Sequence, residues 1–193
     1  MRRILIATHN AGKLGEFATL LAPLGIEAVG AGAMGLAEPE ETAADFAGNA
    51  RLKAVAAARA AGIAALADDS GLCVAALGGG PGVFSARYAQ GDYGAAFARI
   101  IAACAAAGEW RARFVCALCL AQPDGTAATF IGQADGVIAP AARGGAGFGY
   151  DPVFVPEGYE QTYAELGGAV KDAISHRARA FAQVAARLGG SAA

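Results

Sequence analysis

Apolar and polar positions along the chain follow two periods, one typical of strands and one typical of helices. Short apolar runs predict strands at residues 3–8, 27–30, 63–68, 72–75, 109–121 and 126–138. Apolar residues at helical spacing predict helices over 11–22, 42–61 and 92–107 and a last helix from Ser175 to about Leu188. A capping box at Thr162 and Glu165 predicts a short helix between the last two. Asn10 and a candidate capping box at Thr42 and Asp45 start the first two helices, and Gly62 ends the second.

Helices alternate with strands in the first half of the chain, and a long hairpin across Pro123-Asp124-Gly125 follows. This order is typical of an α/β fold with a mixed sheet. The sequence has no internal repeat and no linker between independent domains. Its 193 residues suffice for one domain or for two lobes around a cleft. We therefore predict a single domain over residues 1–193.

The composition of the chain excludes several classes of protein. The chain is 55% hydrophobic and 17% charged, which excludes a disordered protein. Its net charge of −2 predicts no broad basic surface, so nucleic acid is not an expected partner and a few placed cations must hold any polyanion. The most apolar helical run is broken by Arg59, and the apolar stretch at the start is too short for a signal peptide. We expect a cytoplasmic protein without a membrane partner.

Cys116 and Cys119 have the spacing of a redox or zinc half-site. They lie within a predicted strand, where residues three apart point to opposite faces and cannot easily share a metal. We therefore predict that these two, with Cys73 and Cys104, are ordinary buried thiols.

Two adjacent carboxylates, Asp68 and Asp69, follow an apolar run and precede a Ser-Gly turn. Paired acids at the end of a buried strand are costly unless a cation or a catalytic proton compensates them. The pattern favours Mg²⁺ held by carboxylate oxygens, with Glu40 or Glu41 completing the site. The sequence leaves open which glutamate faces inward. The alternative is a capped turn in which Asp forms an Asx turn.

The segment from Thr8 to Lys13 lies between the first strand and the first helix. A helix N-terminus presents free N–H groups that suit phosphate, and Lys13 adds a full charge. The alternative is a capped helix with a solvated lysine, because the glycine spacing is not that of a Walker loop. On its spacing alone, Lys53 in the second helix is also expected to be solvated.

Two later segments contain candidate base-binding groups. Phe148 lies between glycines in the segment 147–152, so its ring is a candidate for stacking on a base; the alternative is a loop pinned by a buried aromatic. Lys171 precedes His176 and Arg177, which we expect at an exposed helix start that suits an anion or a base carbonyl. The alternative there is an ordinary helix entry.

In this order, the segments closely resemble the inosine/xanthosine triphosphate pyrophosphatase family, the Ham1/RdgB-like pyrophosphatases of noncanonical purine nucleotides. The resemblance covers nearly the whole chain, and the combination of motifs is highly specific. The matching blocks are Thr8-x-Asn10-x-x-Lys13-x-x-Glu16, Glu41-Thr42 with Phe46, Asn49-Ala50-x-x-Lys53-Ala54, Asp68-Asp69-Ser70-Gly71-Leu72, Pro81-Gly82, Ser85-Ala86-Arg87-Tyr88, Gly147-Phe148-Gly149-Tyr150-Asp151-Pro152, Ala164-Glu165-Leu166, Lys171 and Ser175-His176-Arg177.

The resemblance implies a homodimeric, Mg²⁺-dependent hydrolase that cleaves ITP, dITP and XTP between the α and β phosphates. The products would be a nucleoside monophosphate and pyrophosphate, and the role would be cleansing of the nucleotide pool. The implied fold is an elongated mixed β-sheet with flanking helices, with two lobes around a central nucleotide cleft.

The resemblance also implies a role for individual residues. Asp69 is the expected general base, and Asp69 with Glu40 or Glu41 is expected to bind Mg²⁺, with Asp68 nearby. Phe148 is expected to stack on the base, whose 6-oxo edge Lys171, His176 and Arg177 would address. The implied substrate-binding residues are Thr8, His9, Asn10, Ala11, Gly12, Lys13, Lys53, Ser70, Phe148, Gly149, Tyr150, Asp151, Lys171, His176 and Arg177.

Two other functions stay open at this point. One is a Maf-like pyrophosphatase, which has a similar fold and a preference for other bases. The segments Phe148–Asp151 and Ser175–Arg177 argue against it. The other is a non-catalytic nucleotide sensor or RNA-binding module, which the acid pair and the negative net charge disfavour.

Overall fold

The computed structural model describes residues 2–37 and 39–189. Strands and α-helices alternate up to the third strand; two helices, three consecutive strands and three consecutive helices follow, with short 3₁₀ turns between some of the elements. In chain order the elements are β1 (Arg2–Ile6), α1 (Ala11–Leu21), β2 (Ile26–Gly30), α2 (Phe46–Ala61), β3 (Ala65–Val74), α3 (Ser85–Ala89), α4 (Tyr93–Ala107), β4 (Arg111–Ala121), β5 (Ala127–Ile138), β6 (Phe154–Pro156), α5 (Tyr163–Leu166), α6 (Gly168–Ile174) and α7 (His176–Gly189).

The strands form a six-stranded sheet in the order β2-β1-β3-β4-β5-β6. β1 pairs in parallel with both β2 and β3, whereas β5 and β6 are antiparallel. The predicted α/β class with a mixed sheet and flanking helices is therefore confirmed. The predicted hairpin is also present, because Gln122 and Thr126 bond through their backbones where β4 turns into β5.

The packing divides the chain into two compact units. The first consists of Met1–Asp69, Cys116–Gly132 and Arg177–Ala193, and the second of Ser70–Val115 and Gln133–His176. The prediction that these segments form one domain with two lobes stays a prediction.

The first unit has two clusters of buried apolar residues. In one of them, side chains of α1 and α7, such as Phe17 and Phe181, pack with Leu66, Cys116 and Leu118 of the sheet. The other cluster is rich in alanine and packs α2 with residues of β1, β3 and β4. Small side chains let α2 lie close to the sheet.

The second unit has an aromatic core. Phe114 and Phe154 lie edge to face with ring centres 4.7 Å apart, and Tyr163 packs 5.2 Å from Phe154. Ile100 and Cys104 of α4 are fully buried in the same cluster. Such aromatic pairs add stability beyond the apolar area that they bury.

One sequence prediction about the centre of the sheet was wrong. We expected a strand over 63–68, a turn at the acid pair and a second strand over 72–75. The structure instead has one ten-residue strand, β3, so Asp68 and Asp69 lie mid-strand. The polar residues continue the strand alongside its long neighbour β4, whereas β1 pairs with β3 at Ala65 and Leu66, before the acid pair.

The helix predictions were correct in type and differed at the ends. Asn10 caps α1 by accepting from the Lys13 backbone N–H, and Gly62 ends α2 with a left-handed backbone. The capping box at Thr42 was wrong, because Asp45 itself caps α2 by accepting from the Gly48 N–H. The short helices α3 and α6 were not predicted, since each has too few residues for a clear helical period.

All four cysteines are free thiols. Cys104, Cys116 and Cys119 are buried, as predicted, whereas Cys73 is half-buried, so the prediction of burial was wrong at that position. Cys116 and Cys119 belong to different core clusters, which confirms that they point to opposite faces of β4. Among the residues that the structure describes, we find no helix with the length and apolarity that a membrane span requires.

Candidate active site

The acid pair on β3 divides its two carboxylates between the faces of the sheet. Successive side chains of a strand alternate in direction. Asp68 therefore shares a face with Leu66, which packs on α1 and α7, whereas Asp69 shares a face with Ala67, which packs on α2. Both side chains are buried, with residue exposures of 2% and 5%.

Asp68 accepts hydrogen bonds from three donors on three different elements. The Lys13 ammonium of α1 forms an ion pair with it. The Arg177 Nε lies 3.0 Å from Asp68 Oδ2, and the Cys116 thiol sulfur lies 3.2 Å from the same oxygen. Burial alone would raise the pKa of Asp68, but Arg177 and Lys13 outweigh burial and hold this pKa well below its usual range.

Arg177 is held by a second carboxylate as well. One of its terminal nitrogens donates to Glu16, which lies one turn after Lys13 on α1. Burial would lower the pKa of Arg177, but Asp68 and Glu16 raise it above its usual range. The guanidinium therefore stays charged, and its orientation is fixed between two carboxylates.

Asp69 has a separate set of partners. The Asn49 amide donates to Asp69 Oδ2 at 3.2 Å, and the Lys53 ammonium lies 3.5 Å from Oδ1. The same ammonium lies 2.6 Å from a carboxylate oxygen of Glu41. Burial is the largest cause of a raised pKa at Asp69; Glu41 raises it further, and Lys53 acts in the opposite direction. Lys53 is only 3% exposed, so the expectation of a solvated lysine was wrong.

The two candidate metal-binding glutamates have different positions. Glu41 is half-buried and bonded to Lys53, whereas Glu40 is exposed. Within residues 2–37 and 39–189, no three His, Cys, Asp or Glu side chains form a metal-binding cluster. Mg²⁺, however, is usually bound through one or two carboxylates together with substrate phosphates. The carboxylates of Glu41 and Asp69 are two such hard oxygen donors. Both contact the same lysine, and together they fit that kind of site.

The segment from Thr8 to Lys13 has the geometry of a helix entry. The Asn10 N–H donates to the Thr8 hydroxyl at 3.1 Å, and the Asn10 side chain accepts from the Lys13 N–H at 3.1 Å. His9 Nε2 lies 3.0 Å from the carbonyl oxygen of Leu36. Ala11 and Gly12, in the first turn of α1, are exposed, so the N-terminus of this helix is open to solvent.

The second unit places three of the predicted residues together. The Lys171 ammonium lies 2.7 Å from Asp151 Oδ2, and the Phe148 backbone N–H donates to the same oxygen at 2.9 Å. Lys171 also lies over the Phe148 ring, 4.2 Å from its centre. Both charged side chains are almost fully buried. Asp151 therefore fixes the backbone that carries Phe148.

Gly147 and Tyr150 shape the same loop. Gly147 has φ +78°, and a Cβ there would collide with the Asp151 carboxylate. The Tyr150 hydroxyl donates to the Ser85 carbonyl at 2.7 Å, and the Ser85 hydroxyl accepts from the Leu72 N–H at 2.9 Å. Burial is the largest cause of the strongly raised pKa of Tyr150. Gly149 and Ser70 are half-buried.

His176 and Arg177 begin α7, as predicted, but they are not at an exposed helix start. Their exposures are 4% and 2%. The His176 ring stacks on Phe114 with ring centres 4.7 Å apart and planes 10° from parallel. The expectation of exposure was wrong because other side chains pack on the first turn of α7 and keep it out of contact with solvent.

Four residues around these groups were not predicted as site residues. Glu16, Asn49 and Ser85 stand in the motif blocks, but a single sequence contains no sign of their partners. Cys116 was considered only for its spacing to Cys119. Its position in β4, beside β3, is the feature that brings its thiol to Asp68.

A family model described as the Ham1 family matches residues 4–187 of the chain. The chain belongs to the Ham1 family. The resemblance found in its motifs is thereby confirmed, and the Ham1 model extends over both units, so it includes every candidate site residue.

Several Ham1 relatives and structures are similar along nearly their whole lengths. The dITP/XTP pyrophosphatase of Rhodospirillum centenum is 54% identical over 189 residues, which are 95% of this chain and 93% of that protein. The dITP/XTP pyrophosphatase of Gluconobacter oxydans is 52% identical over 93% of this chain and 87% of its own. A HAM1 protein structure from Coxiella burnetii has a TM-score of 0.90 and 38% identity, with 99% of this chain and 100% of that chain covered.

Proposed function

We propose that this Ham1-family enzyme hydrolyses noncanonical purine nucleoside triphosphates, dITP, XTP and ITP, to the nucleoside monophosphate and pyrophosphate. The names of relatives at about half identity support the substrate class. The observation that carries the proposal is the group of buried Asp69 and Lys53 with half-buried Glu41, because it joins a carboxylate base, a cation and a hard oxygen donor.

Asp69 is the proposed general base. It takes a proton from water, whose oxygen attacks the α-phosphorus while the bond to the bridging oxygen of the β-phosphate breaks. Asn49 and Lys53 orient the carboxylate for this role. Pyrophosphate leaves with the electron pair of the broken bond.

Glu41 and Asp69 would hold Mg²⁺, which when bound supplies charge stabilisation to the phosphates. Lys13, Lys53 and the N-terminus of α1 are proposed to bind the triphosphate, with Thr8, His9, Asn10, Ala11, Gly12 and Ser70 around it. Fixed positive groups of this kind stabilise developing charge without reorganising during the reaction.

The purine base of the substrate is assigned to the residues around Phe148 and Lys171. Phe148 offers a ring for stacking, in a loop whose backbone Asp151 holds. Lys171, His176 and Arg177 are proposed to donate toward the 6-oxo edge, and Gly149, Tyr150 and Asp151 are proposed to contact the base. An adenine 6-amino group would leave such donors unpaired, which costs about 1–3 kcal/mol for each donor.

A homodimer in the cytoplasm, acting on the nucleotide pool, completes the proposal. The dimer and the nucleotide-pool role rest on the family resemblance, and the cytoplasmic location rests on the expectation from the sequence.

The first test measures pyrophosphate and orthophosphate release from dITP, XTP, dGTP and dTTP, with and without Mg²⁺. The proposal expects Mg²⁺-dependent pyrophosphate from dITP and XTP and little from dGTP. Orthophosphate release or a preference for dTTP would contradict it, the latter in favour of a Maf-like preference. Tight dITP binding without turnover would favour a non-catalytic sensor.

A further inference from the structure

We infer that Asp68 is a positioning residue, which orients Lys13 and Arg177, and that the Cys116 thiol helps to hold Asp68 in place. This inference rests on the proposed function, in which Lys13 binds phosphate and Arg177 addresses the base. On this inference, Asp68 is not part of the Mg²⁺ site, near which the sequence analysis had expected it.

The strand geometry keeps Asp68 away from Asp69. The two side chains leave β3 on opposite faces, and their hydrogen-bond partners differ. The Asp68 side chain is fully buried and lies against two cations. A carboxylate in that position orients the cations, whereas a metal held by Asp69 and Glu41 would lie on the other face.

The two cations come from different helices. Lys13 lies in α1 and Arg177 in α7, and both helices pack on one face of the sheet in the first unit. Long, flexible side chains lose much conformational freedom when they are held in one orientation. Asp68 limits this freedom before any ligand binds, because its Oδ1 pairs with Lys13 and its Oδ2 with Arg177.

Cys116 supplies a third donor from the neighbouring strand. Its thiol is fully buried and lies 3.2 Å from Asp68 Oδ2, the oxygen that also accepts from Arg177. A thiol is a weak donor that fits among apolar side chains. We infer that it fixes the rotation of the Asp68 carboxylate and thereby the direction in which Arg177 is held.

Cys119 is a matched control on the same strand. It is also fully buried, but it points to the opposite face, into the alanine-rich cluster. Replacing Cys119 by alanine removes the same sulfur from β4 without touching Asp68.

The experiment compares Asp68→Asn, Cys116→Ala, Cys116→Ser and Cys119→Ala for kcat, KM for dITP and melting temperature. Loss of a hydrogen bond between charged groups weakens binding about 10- to 100-fold. We expect Asp68→Asn to raise KM by that factor at saturating Mg²⁺. Cys116→Ala should raise KM several-fold, and Cys116→Ser, which keeps a donor, should restore it. Cys119→Ala should leave KM unchanged.

Two results would overturn the inference. Lower melting temperatures with unchanged KM in both Asp68→Asn and Cys116→Ala would indicate a purely structural role. Normal KM at saturating Mg²⁺ with a higher Mg²⁺ requirement in Asp68→Asn would indicate a metal ligand. If Asp68→Asn does not fold, the comparison of Cys116→Ala with Cys116→Ser decides.

A binding measurement separates this inference from the proposed function. Calorimetry of dITP is carried out in an Asp69→Asn background, with and without the Cys116→Ala change. Failure of the wild-type protein to release pyrophosphate refutes the proposed function, whereas equal dITP affinities of the two proteins refute the positioning role.

Discussion

Asp68 and Asp69 are neighbours in sequence, and their carboxylates lie on opposite faces of β3 with different partners. Asp68 pairs with Lys13 and Arg177, while Asp69 contacts Asn49 and Lys53. The consequence is a division of roles between adjacent acids. We propose that Asp68 orients the two cations and that Asp69 serves as the general base and a metal ligand.

Asp69→Asn should lower kcat for dITP at least about a hundredfold, because an amide cannot take the proton of the attacking water. Binding of dITP, measured by calorimetry, should change far less than kcat. Asp124→Asn, in the exposed turn between β4 and β5, is the control and should keep normal kcat. Near-normal turnover in Asp69→Asn would remove this residue from the role of base.

Glu41→Gln should raise the Mg²⁺ concentration needed for half-maximal activity by about tenfold or more, because it removes one of two hard oxygen donors. Glu40→Gln is the matched control, since Glu40 is adjacent and exposed. Activity is measured as pyrophosphate release over a Mg²⁺ titration. An equal or larger shift in Glu40→Gln would assign the metal to the other glutamate.

Lys53→Met should lower the free energy of unfolding by about 3 kcal/mol, because it leaves the Glu41 and Asp69 carboxylates without their shared cation. Mg²⁺ should therefore stabilise this variant more than it stabilises the wild type. Urea unfolding with and without Mg²⁺ measures both effects. Arg51→Met, at an exposed position of α2, serves as the control. No Mg²⁺-dependent difference would argue against a metal at these carboxylates.

Gly147→Ala should raise KM for dITP about tenfold or more while kcat at saturation falls less. The new methyl group collides with Asp151 and occupies a backbone conformation that costs about 1–2 kcal/mol for a non-glycine residue. The Phe148 loop is thereby displaced from the position that we propose for base stacking. Gly145→Ala is the control, because a Cβ there meets nothing within 4 Å. Equal KM values in the two variants would show that this loop does not bind the base.

Much of the fold could be predicted from local patterns. The caps at Asn10 and Gly62, the box at Thr162 and Glu165, and the hairpin turn act within a few residues of the chain, and all four are present. The motif blocks also sufficed to indicate the Ham1 family. Local hydrogen bonds and side-chain periodicity are physical properties of short segments, so a single sequence determines them.

The burial and the partners of the charged site residues were decided by tertiary structure. The paired residues are far apart in the sequence. Lys53 and Asp69 are separated by 16 positions, Lys171 and Asp151 by 20, and Arg177 and Asp68 by 109. From the sequence alone, we predicted that Lys53 is solvated and that Arg177 lies at an exposed helix start.

The unbroken course of β3 was also decided by tertiary structure. An Asp-Asp-Ser-Gly segment has the local preferences of a turn, yet it is part of the strand β3, whose neighbour in the sheet is the distant strand β4. The sequence by itself determined the local elements and the family. The packing of distant segments decided which charges are buried together, because the stability of a buried charge depends on partners that local sequence does not contain.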